Sequence, residues 1–411
     1  MPLSQIRSSR EQIERTTAHL KSRPRVPSRP LRIAVVTEYY YPHLGGVCEH
    51  VHFFAREARR RGHHVDVVTS NIPGAADDPQ VIRIGRSQAL IANGSLARIT
   101  VGLGLRRQLR EVLRRGRYDV VHIHSPLTPT LPLLAIEEAD CAVVGTFHTF
   151  FEGRSLAYSA LRRYFARRLK RLDAAIAVSR SAVNAVEQYF HANWRVIPNG
   201  IDIAEFHPGA HRPAGFPNGE PVILYLGRLD PRNGLRDLIQ AFRLVRKRRT
   251  ARLLVVGDGP LRGYYRRIAG DDPAITFVGS VDDRAGYYAN AAIYACPTTR
   301  GASFGITLLE AMACERPIVC SDIPGFRNVV RNGHEALMVP RQNATAMAHA
   351  LVRLLDDETL RARMGKAGRQ TALNYSWDRV TDAVLGVYAD VLGEAARPRI
   401  PLVRSLASSD D

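Results

Sequence analysis

Residues 296–322 read CPTTRGASFGITLLEAMACERPIVCSD, and the rest of the chain is best read outward from them. Ile293–Cys296 ends a buried strand, a Gly/Ser loop follows, a helix opens near Gly305, and a second strand runs over Pro317–Cys320. That order aims a helix N-terminus, with its unpaired N–H groups and positive dipole end, at the space above the sheet. Glu310 lies inside the helix, where its two carboxylate oxygens suit a vicinal diol such as a ribose.

The sequence upstream keeps the same rhythm. VILYLGRLD (222–230), LRDLIQAFRLV (235–245), ARLLVVGDGP (251–260), LRGYYRRIA (261–269) and ITFVGS (275–280) alternate strand and helix patterns. The first half does likewise. LRIAVVTEY (31–39) reads as the first core strand, and Val47, Val51, Phe54, Ala55 and Ala58 then recur with helical spacing before the strand HVDVVTS (64–70). Later strands are DVVHIHSP (119–126) and VVGTFHTFF (143–151), ending in His122, His124 and His148, and AAIAVSRSAVNAV (174–186) gives strand and helix. Alternating βα units in both halves predict an α/β chain of two Rossmann-like, doubly wound domains facing across a cleft.

The expected divisions are a basic mobile arm over 1–30, a first domain over 31–207 and a Pro/Gly/His-rich linker over 208–220. A second domain over 221–376, a helix over 377–395 crossing back onto the first domain, and a tail over 396–411 complete the chain. No apolar run approaches the ~18 residues of a membrane span, and residues 1–30 lack an apolar signal core. Five cysteines (48, 141, 296, 314, 320) without a CxxC read as free thiols in a reducing cytosol. Lys plus Arg number 58 against 39 Asp plus Glu, a net charge of +19. Such an excess suits a polyanion, either nucleic acid or an anionic membrane leaflet, or else reflects an Arg-rich genome.

The SFGxxLLEAMAxxxPIV pattern resembles the retaining nucleotide-sugar glycosyltransferases of family four, and the resemblance extends from Leu31 to about Leu392. It implies a glycosyltransferase B fold and a metal-independent enzyme whose nucleotide sugar is a substrate, with no cofactor. In such enzymes the departing diphosphate takes the acceptor proton on the same face, so no general-base side chain is required. GRLDPRNG (227–234) resembles the family's GRLxxxKG loop, which makes Arg228 the phosphate-binding arginine. Asn233 stands where the family has Lys, and Ala302 where it has Glu; Arg232, beside Asn233, is the expected substitute cation. Glu310 becomes the ribose ligand, while Phe304 and Gly305 offer N–H groups to sugar or phosphate oxygens. Asp283, in FVGSVDD, becomes an acceptor for guanine N–H groups, although Asp is also a common turn residue.

On the acceptor side, Asn93, Ser95 and Arg98 of NGSLAR match the acceptor loop of the family's mannosyltransferases, with Ala92 where a Tyr usually precedes it. Gly45 and Gly46 would let acceptor and donor phosphates approach the backbone, or form a plain tight turn. His124 matches the active-site histidine of the HIHxP pattern, and His122 is expected on the opposite face in a structural role. Arg106, Arg107, Arg110 and Arg114 form a basic stripe suited to anionic lipid, which otherwise reads as a solvated helix face. A second helix over 155–172 repeats the arrangement. The resulting expectation is transfer of mannose from GDP-mannose to a phosphatidylinositol-like lipid. The enzyme would be cytoplasmic, in peripheral contact with the inner face of the plasma membrane, with no nucleic-acid partner. The rivals are a UDP-sugar transferase for another lipid or polysaccharide, and a catalytically silent nucleotide- or lipid-binding protein.

Overall fold

The structure is a computed structural model that describes residues 20, 26–42, 45–92, 95–150, 153–394 and 403–405. In chain order its first part comprises β1 (Arg32–Val36), α1 (Gly46–Arg60), β2 (His64–Ser70), β3 (Val81–Ile84), β4 (Arg86–Ala92) and β5 (Ser95–Val101). There follow α2 (Leu105–Gly116), β6 (Val120–His124), α3 (Leu131–Glu138), β7 (Ala142–Phe147), α4 (Leu156–Ala160) and α5 (Arg162–Leu169). The part closes with β8 (Ala174–Ala177), α6 (Arg180–Glu187), β9 (Phe190–Ala192) and β10 (Trp194–Val196). The second part comprises β11 (Val222–Leu226), α7 (Leu235–Arg246), β12 (Arg252–Val256), α8 (Arg262–Ala269), β13 (Ile275–Gly279), α9 (Arg284–Asn290) and β14 (Ile293–Cys296). After these come α10 (Ile306–Ala313), β15 (Ile318–Ser321), β16 (Ala336–Val339), α11 (Ala344–Asp356) and α12 (Glu358–Ala372). Helix α13 (Trp377–Glu394) and strand β17 (Val403–Ser405) end the described chain.

Two compact units result. One takes the described residues up to Gly200 together with those from Trp377 on; the other takes Ile201–Ser376. The N-terminal unit holds a seven-stranded parallel sheet in the order β10-β8-β7-β6-β1-β2-β3. The C-terminal unit holds a six-stranded parallel sheet, β13-β12-β11-β14-β15-β16. In both sheets the order reverses beside the first strand of the unit, and ligands of doubly wound sheets bind at such switch points. Strands buried on both faces need continuous apolar runs, and Ile33–Val36 and Leu253–Val256 supply them. All five cysteines are free, and four are buried.

Several expected boundaries shift. The first division ends at Gly200 rather than at 207, and the 208–220 stretch belongs to the C-terminal unit. Phe206 and Phe216 are both buried there, and the Phe206 carbonyl accepts from Arg369 at 2.8 Å. Pro and Gly in this stretch mark turns, while Phe206 just before it and Phe216 within it anchor it to the C-terminal unit, each contributing about 1.5–3 kcal/mol by burial. The expected helix over 155–172 is broken into α4 and α5. Of the NGSLAR segment, residues 95–98 lie on β5, which pairs antiparallel with β4 in a two-stranded sheet apart from the parallel one, and residues 93–94 lie outside the described residues. The arm over 1–30 up to Arg25, Leu20 aside, and most of the tail over 396–411 lie outside the described residues.

Candidate active site

In the C-terminal unit β11 runs out into Gly227–Asp230. The Asp230 carboxylate accepts from the N–H groups of Arg232 (2.9 Å) and Asn233 (3.2 Å), capping the 3-10 turn Pro231–Asn233. Gly234 follows at φ 70°, where a Cβ would lie 2.1 Å from the Pro297 carbonyl oxygen, so only glycine lets the two loops touch backbone to backbone. The Arg232 carbonyl accepts from both the N–H (2.7 Å) and the hydroxyl (3.0 Å) of Thr299. These bonds pin the loop after β11 to the loop after β14. Arg228 is exposed there. The Arg232 guanidinium reaches Asp230 at 3.4 Å and passes beside Gly301, where a Cβ would be 3.4 Å from its Nη1. Asn233 donates to the Arg228 carbonyl at 2.8 Å, so it fastens the loop but adds no charge. Arg228 and Arg232 are thus brought to one end of the sheet beside the Arg300–Ala302 loop.

Helix α10 opens at Gly305, whose φ of 104° lies in the left-handed region; a Cβ there would sit 2.9 Å from the Phe326 ring. Phe304 is buried against Tyr375, with ring centroids 5.9 Å apart. Glu310 is only 1% exposed. Its oxygens accept from the Tyr288 hydroxyl at 2.8 Å and from Arg284 at 2.9 Å. The free diol ligand expected from sequence is therefore a carboxylate with both oxygens already partnered; a ribose would use the remaining lone pairs. Burial, then the adjacent Glu310 charge, pushes the Tyr288 hydroxyl well above its usual range, so it stays a donor. Asp283 is the N-cap of α9, accepting from the Gly286 N–H at 3.1 Å. That is the turn-and-cap role weighed against base recognition, and it commits one of its two oxygens.

In the N-terminal unit β6 and β7 deliver three histidines, and α1 adds His50. His122 and His124 are buried with ring centroids 4.5 Å apart. The expectation that His122 faces the opposite side is wrong, because residues two apart on a strand share a face. Its structural role holds: Nε2 lies 2.7 Å from the Thr146 hydroxyl and Nδ1 2.6 Å from that of Tyr388 on α13. His124 Nδ1 lies 2.9 Å from His148 Nε2, and His50 Nδ1 2.8 Å from Asn199 Oδ1. The second ring nitrogens of His50 and His124 are buried without a partner among the described residues. Burial holds all four rings neutral, with His50 lowered to about 4, His122 to about 3, and His124 and His148 well below the usual value.

Gly45 is the N-cap of α1 and Gly46 its first residue. A Cβ on Gly45 would meet nothing within 4 Å, so packing inside the chain does not demand glycine there. Asn93 lies outside the described residues. Ser95 opens β5 opposite Ala92, and its side chain is likewise outside them. Arg98 is half-buried, its N–H 3.4 Å from the Tyr39 hydroxyl and its guanidinium 3.4 Å from Ser87.

Residues 44–205 match the model of Glycosyltransferase Family 4, and residues 220–357 that of Glycosyl transferases group 1. A phosphatidyl-myo-inositol mannosyltransferase of Mycobacterium tuberculosis is 34% identical over 381 residues, covering 90% of this chain and 100% of the relative. The chain belongs to glycosyltransferase family 4. Among solved structures, a glycosyltransferase from Rickettsia africae superposes with a TM-score of 0.71 at 18% identity, covering 89% of this chain and 99% of its own. A sucrose-phosphate synthase from Thermosynechococcus elongatus gives 0.68 at 23%, covering 89% and 99%. These likenesses bear on the fold, which is that of the B-type glycosyltransferases.

In this glycosyltransferase the basic stripe on α2 is only partly free. Arg106 pairs with Glu137 and Glu138 of α3, and Arg110 with Glu138 at 2.5 Å. Arg107 and Arg114 remain unpaired among the described residues. No described helix is long and apolar enough to cross a membrane. Sequence reading also passed over Glu38, which follows β1. This buried carboxylate accepts from the hydroxyls of Thr100 and Thr130 and from the Leu131 N–H at 2.9 Å, at the start of α3. Burial raises its pKa although these three donors oppose the shift. Its one sequence signal was an acidic residue at the C-terminal end of a buried strand pattern, a position where doubly wound sheets place functional groups.

Proposed function

We propose that this glycosyltransferase moves mannose from GDP-mannose to a phosphatidylinositol-like lipid, with retention at the anomeric carbon and without a metal ion. The observation that carries the proposal is the match to the M. tuberculosis relative over that protein's whole length, since its name specifies both the sugar and the lipid. Arg228 and Arg232 take the charge of the departing diphosphate, and a phosphate oxygen of that group receives the proton from the acceptor hydroxyl on the same face. Glu310, held by Tyr288 and Arg284, orients the ribose, and N–H groups at Phe304 and Gly305 hold oxygens of the sugar or phosphate. Arg98 with Asn93 and Ser95 receives the inositol and its phosphate, and His124 orients sugar or acceptor. The enzyme works in the cytoplasm at the inner face of the membrane.

Asp283 also supports a second reading. A carboxylate committed to capping α9 discriminates guanine less well than a free one, which leaves room for a UDP-sugar. Thermal unfolding with GDP, GDP-mannose, UDP and UDP-glucose separates the two. At a free ligand concentration about 100 times its dissociation constant, the preferred nucleotide stabilises by roughly 2.7 kcal/mol. A larger shift with the uridine ligands would overturn the guanosine donor.

A further inference from the structure

We propose that α4 and α5 of the N-terminal unit form a docking surface for an anionic lipid bilayer, with Leu156, Leu161 and Tyr164 entering the headgroup region. From Gly153 to Leu172 the sequence has six arginines and one lysine and not a single Asp or Glu. Leu156 is 85% exposed, Leu161 47% and Tyr164 45%. Three of the eight large apolar side chains exposed among the described residues therefore fall within nine positions of one another. On the same segment Phe165, Ala166 and Leu169 are buried against the core, so the outward residues are not a misplaced core face. Arg163, Arg167 and Lys170 recur at helical spacing around Tyr164, all exposed. With Arg154 they have no acidic partner among the described residues.

The neighbouring charges differ in kind. On α2, Arg106 and Arg110 are neutralised by Glu137 and Glu138, and Arg168 on α5 is taken by Glu137 at 2.5 Å while its guanidinium covers the Tyr164 ring at 3.5 Å. On α2 only Arg107 and Arg114 of the stripe keep an unpaired charge, whereas on α5 the unpaired Arg163, Arg167 and Lys170 stand beside three exposed apolar side chains. Long cationic stems beside protruding Leu and Tyr side chains suit an interface in which apolar groups sink below anionic headgroups. A nucleic-acid partner would satisfy the charge but leave Leu156 without reason to protrude. The inference rests on the membrane side of the reading above and is independent of the donor.

Cosedimentation of the full chain with vesicles tests it, using phosphatidylcholine alone and phosphatidylcholine mixed with phosphatidylglycerol. The expected result is binding to the mixed vesicles only, weakened at least tenfold in Leu156→Ser/Leu161→Ser/Tyr164→Ser and in Arg163→Glu/Arg167→Glu. Arg107→Glu/Arg114→Glu should bind within threefold of wild type. A Leu156→Trp variant should shift its emission to the blue when mixed vesicles are added. Native circular dichroism and an unchanged thermal shift with donor nucleotide show that the variants fold and that donor binding is separate. The proposal is overturned if wild type ignores mixed vesicles, if the α4–α5 variants bind as wild type does, if the α2 reversal alone abolishes binding, or if the Trp emission does not move.

Discussion

Arg232 and Asn233 stand side by side on the loop after β11, and they divide two tasks. Asn233 fastens the loop through the Arg228 carbonyl, while Arg232 places a permanent charge beside Gly301. A leaving diphosphate needs such charge in a dry site, and the loss of one contact of this kind raises the barrier by about 2.7–4 kcal/mol. Arg232→Ala is accordingly expected to slow turnover at least tenfold with an unchanged circular dichroism spectrum; turnover equal to wild type would exclude the role. Glu310→Ala should remove most of the nucleotide-induced thermal shift, because a charge-assisted ribose bond contributes about 1.5–3 kcal/mol. A full shift in that variant would make Glu310 a purely internal partner of Tyr288 and Arg284. The places of both residues, on the loop after β11 and inside α10, were legible in the sequence because strand and helix patterns bracket them. The partners of Glu310 were not, since Tyr288 and Arg284 come from another helix and only the packing of α9 on α10 brings them together.

Helix α13 shows how an element is fixed by side chains far away in sequence. Its Trp377 ring stacks on Phe53 with centroids 5.6 Å apart and meets His50 edge-on at 5.2 Å. Arg61 of the α1 C-cap bonds Asp378 and Asp382, each at 3.0 Å. The surface pairs contribute little, about 0–1 kcal/mol each, so the buried indole dominates the attachment. Trp377→Ala is expected to destabilise the N-terminal unit by about 3–5 kcal/mol in denaturant titration, whereas Asp378→Ala should change it by less than about 1 kcal/mol. Equal effects would contradict this division. The sequence shows the helix by its period and its return by resemblance. It hides the Tyr388–His122 bond, which spans 266 residues and carries no local signal. The break between α4 and α5 was likewise illegible, because residues 155–172 keep a helical period through it.

At the scale of the whole molecule, four neutral histidines in one buried cluster make stability depend on pH. His50 and His122 hold their protons only near pH 4 and 3, against an ordinary value of 6.5 in the unfolded chain. Below pH 6.5 the unfolded state therefore binds protons that the native state refuses. Stability is expected to be level above about pH 6.5 and to fall from there toward pH 4, by up to about 1.4 kcal/mol per pH unit for each histidine. Thermal midpoints across that range check it, and a level curve down to pH 4 would show that the cluster is solvated. The two-domain α/β architecture was readable from alternating periods alone, whereas the Gly200/Ile201 division was not. Composition points to turns, but only burial tells which unit a turn belongs to.

The central claim is that the chain remains an active mannosyltransferase although Asn233 and Ala302 replace a Lys and a Glu of the family pattern. Its most direct measurement is the transfer of labelled mannose from GDP-mannose to phosphatidylinositol in mixed vesicles by the purified wild-type protein, followed as a lipid product over time. Steady product formation in the presence of a metal chelator is the result predicted; no mannosyl lipid, while the protein is folded and binds the nucleotide, would contradict the account.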